Sequence, residues 1–183
     1  MTVAPSAEVE RELDRLYGLP LGEFVGARDE LAKRLRGEDR RDEAEQVKAL
    51  RKPSVSAWLV NQVARERELD VQRLLSAGER LRTAQVAGEG FSDARADEQR
   101  ALEQLARAVQ EIAGREGTGQ GAIAQATQTL RAASLTDEGR DLLKRGRLTE
   151  ELEPPGFEAL TGLVPAQPRK RPAKAPPKPK QPS

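Results

Sequence analysis

Apolar residues recur at intervals of three and four across positions 9–143, interrupted by short runs of Gly, Pro and charge. That spacing predicts a succession of amphipathic helices. Val9, Leu13, Leu16 and Tyr17 form the first stripe, with Ser6 placed to cap its helix and Gly18-Leu19-Pro20 placed to end it. Phe24, Ala27 or Arg28, Leu31 and Leu35 form a second stripe over 21–36, with Gly37 as the natural C′ residue. A charged turn over 37–42 leads to a third helix carrying Ala44, Val47 and Leu50. Pro53 lacks a backbone donor and biases Lys52 away from the α region, so that helix should stop near Leu50 or Arg51. Pro is welcome in the first turn of the next helix, where Ser54 or Ser56 can accept from its unpaired N–H groups.

The following stretch holds the only Trp of the chain, Trp58, inside its densest apolar run. Val55, Trp58, Leu59, Gln62 and Val63 share one side of the predicted helix. Beyond it, Glu68-Leu69-Asp70 marks either a break capped by Asp70 or a point where the helix continues to about Ala87. Val71, Leu74, Leu75, Gly78, Leu81 and Gln85 trace the stripe there. A Gly-containing turn over 88–92 follows, with Ser92 as cap. Leu102, Leu105, Ala106, Val109, Ile112 and Ala113 then line a long helix over 93–113. Two long helices joined by so short a loop read as an antiparallel hairpin. Gly114, Gly117, Gly119 and Gly121 read as a flexible linker. After it come a short helix with Ile123, Ala126, Thr127, Leu130 and Ala133, and a last one capped by Thr136 and ended by Gly146, with Leu142 and Leu143 inward.

Residues 41–66 support two readings. One is a core hairpin with Trp58 as its largest buried residue. The other is a helix-turn-helix whose second helix enters the DNA major groove. The small-residue slots of that motif fall on Glu45 and Ala49, and Glu45 does not suit a tight helix crossing.

Leu-Tyr-Gly-Leu-Pro (16–20), Ala-Arg-Asp-Glu-Leu-Ala-Lys (27–33) and Val-Lys-Ala-Leu-Arg-Lys-Pro-Ser-Val (47–55) resemble an uncharacterised all-helical family of high-GC bacteria. Arg-Leu-Thr-Glu-Glu-Leu-Glu-Pro-Pro-Gly-Phe (147–157) resembles its C-terminal end. The resemblance covers about two-thirds of the chain. It implies an all-helical bacterial protein and transfers no site residue.

Composition narrows the chemistry. Aromatic residues make up 3% of the chain and charged residues 33%, which suits thin Ala/Leu-lined helices better than a sheet. There is no Cys and no His, so disulfides, thiolate metal sites and Ser-His-Asp or Cys-His catalysis are excluded. A metal would have carboxylates alone, and helical di-iron sites also need His. No Asp, Glu or Lys stands isolated on an apolar face, where burial would shift its pKa. The Gly-rich stretch 114–121 lacks the Gly-Lys-Ser/Thr and the preceding strand that a phosphate loop requires. No apolar run nears the ~20 residues that span a bilayer. No secretory signal is visible at the start, so a cytoplasmic location is expected.

Charge is divided along the chain. Residues 1–164 carry 25 basic and 30 acidic side chains, a net −5, and residues 165–183 carry six basic groups and no acid. The overall +1 therefore joins an acidic body to a basic end. That end resembles the Lys/Pro/Ala-rich tails of nucleoid and linker-histone-like proteins.

The expected architecture is all-α: an elongated bundle of six to eight helices over 1–164, built on antiparallel helical hairpins. A disordered tail of polyproline character follows over 165–183, and Phe157, Leu160 and Leu163 dock back onto the bundle. The expected function is non-enzymatic, with no cofactor, no metal and no membrane partner. Arg169, Lys170, Arg171, Lys174, Lys178 and Lys180 would contact nucleic acid non-specifically by counterion release, aided by Arg51 and Lys52 and further by Arg40 and Arg41. The alternative is a protein–protein or oligomerisation module that holds a helical partner or a second copy, with the tail as spacer.

Overall fold

A computed structural model describes residues 5–153. Among them are eight helices and no strand. The expected boundary at 164, the tail and the docking of Phe157, Leu160 and Leu163 lie outside the described residues.

Ser6 caps α1 (Ala7–Gly18), its Oγ accepting from the N–H of Val9, and all four residues of the first stripe are buried. Helix α2 (Phe24–Gly37) begins three residues later than the periodicity suggests, after a turn closed by Glu23 N–H on the Pro20 carbonyl. Gly37 is its last helical residue rather than a residue beyond it. The left-handed position after this helix belongs to Asp39, at φ 60°. Asp tolerates that region because its short polar side chain bonds locally. Helix α3 (Arg41–Ala49) stops before Pro53 as expected, and Ser54 rather than Ser56 caps α4 (Val55–Glu66).

The chain breaks at Arg67 (φ −127°, ψ 42°) and resumes as α5 (Glu68–Ala87). Asp70 is therefore not a cap; it lies inside the first turn and accepts from Arg73 and Gln104. Gly88 and Gly90, both at positive φ, turn the chain into α6 (Phe91–Arg115), so Ser92 is helical and caps nothing. The α5–α6 pairing is the most extensive among the described residues. Half of the glycine-rich stretch is helix: Gly114 belongs to α6 and Gly121 to α7 (Gln120–Leu135), while Gly117 and Gly119 lie in the connection between them. Thr136 caps α8 (Asp137–Arg145), and Gly146 ends it in the left-handed region.

The apolar faces form two cores. One joins α1, α2 and α3 around Phe24, Leu35 and Val47, with Tyr17 edge-on to Phe24 at 5.2 Å. The other joins α4 to α8 around Leu59, Leu74, Leu105 and Leu130. Helix α4 belongs to the second and is enclosed on every side, since all nine residues from 56 to 64 are buried. Its expected one-sided stripe is corrected on that account: Val55 is 42% exposed, while Ala57, Val60 and Ala64 are inside. Each of Leu59, Val60 and Val63 contributes about 1.5–3 kcal/mol by leaving water. Helices α5 and α7 approach closely at Gly78, where a Cβ would stand 3.4 Å from the Ser134 carbonyl oxygen.

Candidate functional site

A helix buried all round must satisfy every polar side chain internally. In α4 the side chains of Trp58, Asn61 and Gln62 reach backbone of neighbouring connections. Trp58 donates its Nε1–H to the Leu19 carbonyl at 2.8 Å, and Gln62 donates to the Tyr17 carbonyl at 3.1 Å. These two bonds tie the end of α1 to α4 and so link the two cores. On another side Asn61, fully buried, donates to the Leu148 carbonyl and accepts from the Leu148 N–H, both at 2.8 Å. This is the pairing a neighbouring strand would supply, delivered by one amide side chain.

Asn61 thereby holds the segment after α8 as a strap running back along α4. Leu148 is buried in the core, and Leu152 packs against it. The Ser54 N–H donates to the Thr149 carbonyl at 3.0 Å. The Ser56 hydroxyl donates to the Glu151 carboxylate, and that bond holds the Glu151 pKa below its usual value. At the other end of α4, Arg65 donates to the Gly146 carbonyl at 3.2 Å, and its Nε has no partner among the described residues. Burial lowers the pKa of this guanidinium. Arg147 crosses to α1, pairing with Glu10 at 2.8 Å and Asp14 at 2.6 Å.

The strap carries the chain past the basic corner. Arg51 and Lys52 are both exposed, and Arg51 pairs with Glu150 at 3.3 Å. Lys52 has no ion-pair partner among the described residues. The strap thus brings Glu150 to the Arg51-Lys52 corner from 99 positions away in sequence. Arg169, Lys170, Arg171, Lys174, Lys178 and Lys180 themselves lie outside the described residues. Arg40, the other expected helper, is engaged in the body: it binds Glu43 at 2.5 Å, Glu8 at 2.9 Å and the Ser6 hydroxyl at 2.6 Å. Arg41 is exposed and pairs with Asp39 at 3.5 Å. Helix α4 has no free face for a DNA groove, since among its first residues only Val55 is exposed.

Of the open grooves on the described surface, three border α5, α6 or α8. One of about 650 Å³ lies between α5 and α8 over Ala64, Val71 and Leu75. Its cation Arg140 is held by Glu79 at 2.9 Å and by Asp137. A second, of about 550 Å³, is the polar notch around Arg65 and Arg147. The third, of about 740 Å³, runs along the α5–α6 arm over Ala84, Ala87 and Ala94. Among the described residues no three carboxylates gather in a way that could hold a metal ion. No described helix is long and apolar enough to cross a membrane.

The residues that organise this region, Asn61, Gln62 and Arg65, carry one sequence signal: polar side chains set within or beside the densest apolar run. That signal marks them as internally bonded without naming their partners. Comparison with family models, curated proteins and solved structures finds no match to this chain.

Proposed function

We propose that this chain is a non-enzymatic, cytoplasmic protein that associates with nucleic acid through the cations of 165–183, without reading base sequence. The supporting observation is the clamp of Asn61 on Leu148, which makes the strap part of the core, with Glu150 of the strap paired to Arg51 next to exposed Lys52. A cationic segment attached at a fixed point concentrates its charge at one surface. Its affinity comes from counterions released by phosphates and falls as salt rises. The enclosed α4 favours backbone binding over groove reading. The body's net −5 confines the contact to the basic end.

The test is a mobility-shift titration of duplex DNA at low salt, with intact protein and with 165–183 deleted. The proposal expects retardation by the intact chain alone. Equal binding by both, or by neither, overturns it.

A second reading, a module for a helical protein partner or a second copy, is favoured by one feature. Val86 is 89% exposed and Phe91 39% exposed, on either side of the turn that ends the α5–α6 arm. Sedimentation of the intact protein decides it: a strict monomer at all concentrations, with no captured partner, counts against this reading.

A further inference from the structure

The far part of the α5–α6 arm is thinly packed. Over 79–97 only Ala84 and Ala94 are buried, and Arg80 bridges to Asp97 across the pair at 3.1 Å. The groove there has a floor of Ala84, Ala87 and Ala94, too small to fill it. Its rim carries Glu79, Glu89, Asp93 and Asp97 against a single cation, Arg80. Asp97 is already met by Arg80 and Arg100, and Glu79 by Arg82 and Arg140. Glu89 and Asp93 have no partner among the described residues. An apolar floor with an unneutralised acidic rim fits a cationic chain whose other residues are small or aliphatic.

The sequence contains such a chain. Residues 165–183 combine six Lys and Arg with Pro and Ala and have no acid. We infer that this segment docks in the acidic groove of the α5–α6 arm of its own molecule when no polyanion is bound. The reach suffices. Glu151 sits at Ser56, and the way from there along α4 and back along α8 to Glu79 is about 40 Å, at 1.5 Å per helical residue plus the side-chain crossings, with Glu89 about 15 Å further along α5. From Glu153 an extended chain spans up to about 50 Å to Arg169 and about 80 Å to Lys178, so the distal lysines reach the whole groove. The grooves beside α8 fit the segment less well, because their walls present Arg140, Lys144, Arg145 and Arg147.

Docking uses the same six cations as the proposed nucleic-acid contact but does not require that contact to exist. In the docked state those cations are unavailable, so a polyanion must displace the arm.

The test compares amide NMR spectra of the ¹⁵N-labelled full-length protein and a full-length variant with Arg169, Lys170, Arg171, Lys174, Lys178 and Lys180 all changed to Gln. Salt is kept low enough that the screening length exceeds about 10 Å. Outside the altered segment, shift differences are expected only over 76–97 and at every protein concentration. They disappear when Glu89→Lys and Asp93→Lys are added to the wild-type tail, with the far-UV circular dichroism unchanged. Absence of differences, differences centred elsewhere, or differences that grow with concentration (a second copy as occupant) each overturn the proposal. With duplex DNA, a neutral Glu89→Gln/Asp93→Asn protein, which adds no cation of its own, should bind about two-fold or more tighter than wild type, because its tail is no longer sequestered. If neither protein binds DNA while the shift pattern holds, the nucleic-acid reading fails and the docking stands.

Discussion

Replacing Asn61 with Ala removes two hydrogen bonds at once and leaves both partners buried. Asn61 is 0% exposed and Leu148 1% exposed, and the Asn61 amide satisfies both the carbonyl and the N–H of Leu148 at 2.8 Å. An orphaned buried backbone group costs about 1–3 kcal/mol, and the small cavity left by the amide adds to that. The expected loss is about 3–5 kcal/mol, a large part of the 5–15 kcal/mol that holds a domain together. It should appear as a lower urea midpoint with an unchanged slope, since the surface exposed on unfolding is the same. The loss should also be local before it is global. Hydrogen exchange at Leu148 and at Ser54, whose N–H donates to the Thr149 carbonyl, should accelerate more than exchange in α6, because the strap has few other backbone bonds. A loss under about 1 kcal/mol, with the Leu148 amide still protected, would refute the view that Asn61 anchors the strap.

Further outcomes follow from single contacts. Trp58→Phe keeps an aromatic ring but removes the indole N–H, orphans the Leu19 carbonyl and leaves a small cavity, and should cost about 1–4 kcal/mol in chemical denaturation. The Glu43 carboxyl is held at about 2, against an ordinary 4.5, first by its bond to Arg40 and then by the Ser6 N–H. Its folded-state pKa is depressed, so its stabilisation is present above pH 4.5 and lost as pH falls towards 2. The stability gap between wild type and Glu43→Gln, measured by urea titration at several pH values, should therefore close over that window. A gap constant with pH would contradict the assignment. Gly139→Ala puts a Cβ 2.7 Å from the Thr136 hydroxyl and 2.8 Å from the Ala133 Cα, so it should destabilise by about 1–3 kcal/mol. Gly37→Ala meets nothing within 4 Å and should stabilise by about 0.4–1 kcal/mol. Thermal unfolding of the two variants should shift in opposite directions.

Local signals are legible at three helix starts and at one helix end, though not at Asp70 or Ser92, which lie inside the first turns they are expected to cap. Ser6, Ser54 and Thr136 cap because a hydroxyl at a helix start meets a free N–H two or three residues on. Gly146 ends α8 because the left-handed region costs glycine nothing. The misses come from tertiary structure. Val55 lies on the apolar stripe by periodicity yet is exposed, while the opposite side of α4 is buried, because α4 has neighbours all round and periodicity reports only one. Asp39 rather than Gly37 takes positive φ, a choice made by how α3 packs against α2. The pairing of Arg51 with Glu150 joins residues 99 apart, and no local pattern encodes it. Of the expected binding residues, the corner could be placed. The six distal cations remain a matter of composition, whose consequences are electrostatic.

Fluorescence anisotropy of a labelled duplex, titrated with the intact protein across a range of salt, tests the central claim most directly. Contact through six cations predicts a log–log slope of affinity against salt approaching about −5, with no dependence on duplex sequence. Absence of binding at low salt, or binding whose strength salt leaves unchanged, contradicts it.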